Sequence, residues 1–121
     1  MKTKLTLPYP PSANRMWRRS GHTIYLTAEG RAYKEAVSLL AKQQGCVKIG
    51  GLVSLTMAVY RPRKSGDLDN RIKLVLDGLK DVAFGDDKEI IELHAYRFDD
   101  RNNPRVEIRI ESAIQLADKL F

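Results

Sequence analysis

Cysteine is almost absent from this chain. Cys46 alone excludes an intramolecular disulfide and a thiolate metal cluster, and it suits a reducing compartment, where it reads as a small core or loop residue. Histidine is nearly as scarce. Neither His22 nor His94 has a partner at zinc-binding spacing, and a lone histidine in a strand, as His94 is expected to be, reads as structural. No apolar run approaches membrane-spanning length, and the opening MKTKLTLPYPPS lacks the apolar stretch of a signal peptide, so a cytoplasmic protein with no membrane partner is expected. A GxxxxGK[ST] phosphate loop is missing. An EF-hand beginning at Asp67 would need an acid or amide and then a glycine where Arg71 and Ile72 stand. Internal repeats and low-complexity linkers are absent too.

What is present is charge. The 121 residues carry 21 Lys and Arg against 15 Asp and Glu, a net charge of +6, which suits an anionic partner; the plainer alternative is a basic soluble protein. This length predicts one domain spanning 1–121, with 112–121 a candidate C-terminal helix or dimer-packing tail.

Alternation from Lys2 to Leu7, stopped by Pro8, predicts an opening strand. The stretch PYPPSANRMWRRSGH then packs three prolines into four residues and sets Trp17 among Arg15, Arg18 and Arg19. It predicts an irregular loop carrying positive charge beside an aromatic ring, suited to a nucleic-acid backbone with a base on the ring, or else a surface Trp ringed by solvated arginines. A short strand over 22–26 leads to Thr27, placed as an N-cap, and to a helix whose apolar face is expected at Ala32, Ala36, Leu39 and Leu40 and whose end is expected at Gly45. The alternation of LVSLTMAVY predicts a central strand with Val53, Leu55, Met57 and Val59 inward. It delivers the chain to the basic run Arg61, Pro62, Arg63, Lys64, suited to phosphate contacts or simply a charged loop.

A second helix follows, with an apolar stripe of Leu68, Ile72, Val75, Leu76, Leu79 and Val82. The segments IIELHAYRF and 105–111 predict a hairpin around a turn at 99–104. The resulting class is α+β: a mixed or mostly antiparallel sheet with two helices on one face, in the order β-β-α-β-α-β-β.

Acidic residues bracket that second helix in a chain that is otherwise basic. Asp67 and Asp69 share one side only if Asp67 precedes the first helical turn, because residues two apart diverge on a helix. Oxygen donors there suit Mg²⁺ or Mn²⁺ that also meets a substrate phosphate, although capping carboxylates would give the same pattern. Lys73 lies one turn beyond Asp69 and could balance the carboxylates or a transition state; an ordinary helix pair worth about 0.3–0.5 kcal/mol is the alternative, and Asp77 offers it a second partner. If the helix ran unbroken from Asp69 to Phe84 it would separate its ends by roughly 22 Å, of which the following residues recover at most roughly 10 Å. Asp87 would then meet Asp69 only across a two-fold axis, unless the helix broke at Gly78.

The opening LPYPPSANRMWR, the segment LTAEGRAYKEAV, and GDLDNRIKLVLDGL followed by the pair Asp86-Asp87 resemble the RusA family of Holliday junction resolvases of bacteria and prophages. This resemblance implies a homodimeric, Mg²⁺-dependent endodeoxyribonuclease, with Mn²⁺ able to substitute, that binds four-way DNA and nicks two strands symmetrically in recombination and repair. It implies metal binding that depends on dimer formation. It further implies that Asp67, Asp69 and Asp87 are the essential carboxylates, that Lys73 assists and that Asp86 adjoins the metal. The helix between the acidic clusters is about one residue shorter than the family pattern, which leaves Asp86 and Asp87 as alternatives for the ligand. DNA contacts at Arg15, Arg18, Arg19, Arg61, Arg63, Lys64 and Arg71 are expected from charge and position. The rival readings are a metal nuclease for other branched DNA or RNA, and a junction-binding protein without catalysis.

Overall fold

The structure is a computed structural model describing residues 2–63 and 68–114, with the side chains of residues 13, 14 and 68–70 outside the description. Strand β1 (Lys2–Pro8) is followed by a single helical turn, α1 (Ala13–Met16), and by strands β2 (Trp17–Ser20) and β3 (Thr23–Leu26). Helix α2 (Ala28–Gln43), strand β4 (Val53–Arg61), helix α3 (Leu68–Leu79), a 3₁₀ turn (Asp87–Glu89), and strands β5 (Ile90–Asp99) and β6 (Arg105–Ser112) complete the chain. The expected irregular loop thus holds ordered pieces, since Trp17–Ser20 pairs with Thr23–Leu26 in a small antiparallel hairpin.

The main sheet is mixed, in the order β1-β6-β4-β5. β6 runs antiparallel to both β1 and β4, while β5 runs parallel to β4. The expected β5–β6 hairpin is therefore corrected, because β4 lies between the two strands. Its alternation explains this: Val53, Leu55, Met57 and Val59 are all essentially inaccessible, and a strand so buried belongs at the sheet's centre with a neighbour on each side. Leu5 and Leu7 of β1 and Val106, Ile108 and Ile110 of β6 face the same core, and α2 and α3 close it from that side.

Helix α2 begins and ends as its sequence requires. Thr27 Oγ1 accepts from Gly30 N at 3.1 Å. At the other end Gly45 takes φ +85°, its N–H donates to Lys42 O and that of Cys46 to Ala41 O, a Schellman pair of bonds. The buried face is corrected to Gly30, Tyr33, Val37 and Ala41, while Leu39 stays exposed. The stripe turns because the α2–α3 contact selects it: a Cβ on Gly78 would lie 2.8 Å from Val37 Cβ, so the helices meet where α3 has no side chain.

α3 stops at Leu79, short of the expected Phe84. Asp81, at φ +67°, turns the chain left-handed, a conformation aspartate tolerates better than most residues. Val82, Ala83 and Phe84 remain buried after this turn, and Ile49 N donates to Ala83 O. Apolar residues there continue the helical pattern in sequence while the backbone has left the helix.

Candidate nucleic-acid interface and acidic clusters

A cleft of about 570 Å³ opens where the ends of several elements converge. Tyr9, Pro10, Pro11 and Ser12 from the β1–α1 connection form one wall, Arg15 and Glu29 a second, and Pro62, Arg63 and Arg71 the third. The prolines hold this connection extended without needing backbone donors. Arg71, one turn into α3, is only 9% exposed. Its Nε donates to Tyr9 Oη, and its guanidinium carbon lies 4.8 Å from the Tyr9 ring centroid. Arg15 pairs with Glu29 at 2.8 Å while remaining two-thirds exposed. The remaining guanidinium donors have the geometry for phosphate oxygens.

The expected basic contacts fall into distinct places. Arg15, Arg63 and Arg71 line the cleft. Arg18 and Arg19 are exposed on β2, which leads away from it. Arg61 is engaged with Asp99 at 2.8 Å and its side chain is only 12% exposed, so it secures the ends of β4 and β5 to each other. Lys64 lies outside the described residues. Tyr9 and Glu29 are cleft residues that charge counting did not single out; the tyrosine stands in sequence 62 residues from the arginine it holds, and no local signal links them.

Of the acidic residues, Asp67 lies outside the described residues, and Asp69 stands in the first turn of α3 with its side chain undescribed. Lys73 is exposed, its Nζ 3.8 Å from Asp77 Oδ1, the alternative partner named by the spacing. Asp86 caps the 3₁₀ turn, its Oδ1 accepting from Lys88 N at 3.4 Å. Asp87 is exposed, and among the described contacts its carboxylate accepts no hydrogen bond. Among the described residues, no three or more metal-binding side chains come together.

Topology explains the separation. β4 ends at Arg61, α3 begins at Leu68 on that side, and β5 begins at Ile90, beside Val53 at the other end of β4. The helix is shorter than expected, yet Asp69 and Asp87 still stand at opposite ends of the β4–α3–β5 unit, roughly 20 Å apart at about 1.5 Å per helical residue. Gly78, where a break would have folded the site together, lies within the continuous helix.

A basic cleft at the mouth of a helix bracketed by carboxylates, carried on a small mixed sheet, is the construction of an α+β nuclease. The family described as Endodeoxyribonuclease RusA matches residues 8–111, and the chain belongs to that family. It is similar to the crossover junction endodeoxyribonuclease of Enterobacteria phage 82, with 32% identity over 111 residues covering 88% of this chain and 91% of that protein. The protein of the same name from Escherichia coli K12 is 29% identical over 109 residues, again 88% and 91% of the two chains. That of Enterobacteria phage HK97 is 33% identical over 91 residues, 71% and 73%.

Proposed function

We propose that this chain is a dimeric Holliday junction resolvase of the cytoplasm, which holds a four-way DNA junction and nicks two opposed strands in recombination and repair. The observation that carries this reading is the placement of Asp69 and the Asp86-Asp87 pair at opposite ends of α3, beside a basic cleft, in a chain of the RusA family. A two-fold dimer presents two equivalent sites to two equivalent strands, which fits paired incision.

Asp67, Asp69 and Asp87 would hold Mg²⁺, or Mn²⁺ in its place. Hard carboxylate oxygens suit either ion, and the freedom of Asp87 favours it over Asp86, which is engaged in capping its own turn. When bound, the ion would supply Lewis acidity and a water of lowered pKa. The chain's own residues do the rest. Arg15, Arg63 and Arg71 grip phosphates along the cleft, and Tyr9 fixes the Arg71 guanidinium so that little freedom is lost on binding. Lys73, exposed one turn from Asp69, swings from Asp77 toward the scissile phosphate and offsets charge gathering there. Arg18, Arg19 and Lys64 extend the phosphate track, so affinity falls steeply with salt, and preference for the branch rests on shape.

The test is cleavage of a synthetic mobile four-way junction in Mg²⁺. Wild type should give paired symmetric nicks, and Asp69→Asn should bind the junction as tightly without cutting it. Tight binding by a wild type that cuts in neither Mg²⁺ nor Mn²⁺ would overturn the catalytic reading. Equal cutting of flaps and forks would overturn the substrate.

A further inference from the structure

β5 is an outer strand with large apolar side chains left uncovered. Ile91 and Leu93 are each 42% exposed, Tyr96 50% and Phe98 47%. These residues do not share one face. Leu93 pairs with core-facing Leu55, whereas Tyr96 and Phe98 pair with Ala58 and Tyr60 on the opposite, helix-free face. Apolar surface on both sides of one strand calls for a partner that meets it edge-on, because a body resting on either face would leave half of it wet. β5 also lacks the usual guards of a free edge: it runs ten residues with neither proline nor lysine. Among the described residues, no strand pairs with its outer side.

We propose that this edge is the dimer interface, with β5 pairing antiparallel to β5 of a second copy about a two-fold axis near His94 and Ala95. The inference rests on the dimeric reading above and gives that dimer its surface. A second copy is favoured over other occupants because antiparallel self-pairing also solves the separated-acid problem. The end of β5 at Asp99 lies beside Arg61, from which the chain passes to α3. Antiparallel pairing brings to that end the beginning of the other β5, which Asp87 precedes by three residues. One symmetry operation thus carries Asp87 of the partner subunit toward the first turn of α3, and does so twice. An axis normal to the sheet keeps all helices on one side. α3 is the helix contacting β5, whereas α2 contacts β1, so the two α3 helices become antiparallel neighbours over Ile91 and Leu93.

Three measurements on the full chain test this. Leu93→Lys with Tyr96→Lys should sediment as a monomer with an unchanged far-UV circular dichroism spectrum and should lose junction cutting by at least about 100-fold. In a Cys46→Ser background, Ala95→Cys should be captured as a dimer by a short bis-maleimide, and exposed Leu39→Cys on α2 should not. This second arm decides the matter should the lysine pair fail to fold. Mixing Asp69→Asn with Asp87→Asn should restore cutting, because heterodimers regain one intact site. An edge variant that remains a cutting dimer, or a dimer that Ala95→Cys does not capture, overturns the interface while leaving the resolvase reading standing. Captured dimers that never cut would do the reverse. A monomeric wild type whose β5 amides lose hydrogen-exchange protection on deletion of residues 115–121 would show that the tail occupies the edge, and would overturn the proposal.

Discussion

The two outer strands of the sheet are finished in opposite ways. On β1 the side-chain amide of Gln44, just past α2, acts as a substitute strand: its Oε1 accepts from Thr6 N at 2.8 Å and its Nε2 donates to Thr6 O at 2.7 Å. Tyr33 Oη donates to Pro8 O and closes the same strand's end. On β5 no described residue does this, and four large apolar groups stand half-exposed. The β1 side is complete within one chain, while the β5 side, with the acid clusters at its two ends, is complete only with something added. Substitutions on the closed side should therefore register as stability and those on the open side as cutting.

The largest effect expected is on the open side. Asp69→Asn and Asp87→Asn should each reduce junction cleavage by about 10²–10³-fold, the loss of several kcal/mol of transition-state stabilisation, with melting temperature nearly unchanged. Asp86→Asn sharpens the test. Its carboxylate caps a 3₁₀ turn, so it should lower stability by up to about 1 kcal/mol and cut far better than Asp87→Asn. Reversed behaviour of the two variants would make Asp86 the ligand.

Next comes the seam between the helices. Gly78→Ala would gain about 1 kcal/mol in helix propensity. Its Cβ would nevertheless sit 2.8 Å from both Val37 Cβ and Cγ1, and overpacking of this kind costs about 1–3 kcal/mol. Val37 is fully buried and β-branched, so it has little room to yield. A net loss of about 1–2 kcal/mol in chemical denaturation is expected, and Val37→Ala should recover part of it in Gly78→Ala. A neutral Gly78→Ala would mean that the helices part more easily than a closed half should.

How far the sequence discloses this architecture depends on the range of the signal. Strand β4 and both ends of α2 are written locally, in strict alternation, in Thr27 and in Gly45, and the structure holds them there. The buried face of α2 is not, because Gly78 and Tyr33 choose it from across the core. Sequence neighbours β5 and β6 invite a hairpin, yet the more buried β4 takes the place between them. The end of α3 is masked because Val82 and Phe84 stay buried after the helix has stopped. Among site residues, the bracketing acids are visible by contrast with a basic chain. The Tyr9–Arg71 contact is a product of folding alone, as is the capture of Arg61 by Asp99.

The closed edge allows two finer tests. Tyr33 is buried, and desolvation raises the pKa of its hydroxyl far above the ordinary tyrosine value. The unfolded chain therefore releases this proton near pH 10 while the folded chain keeps it. The stabilising contribution is fully present below that pH and is lost as pH rises through the folded value. Tyr33→Phe should cost about 1 kcal/mol at neutral pH, from the lost bond to Pro8 O, and its stability should then fall less steeply above pH 10, by up to about 1.4 kcal/mol per pH unit. Parallel alkaline limbs for the two proteins would show that the hydroxyl is not held neutral by the fold. Gln44→Ala should have the smallest effect on stability, up to about 1 kcal/mol, since both its bonds are exposed and water can replace them. Its more telling consequence concerns association. With the amide gone, β1 presents the same bare edge as β5, and concentration-dependent oligomers larger than the wild-type assembly should appear in sedimentation. Unchanged assembly would mean that a bare edge alone does not recruit another chain, and that the apolar side chains flanking β5 are what distinguish it.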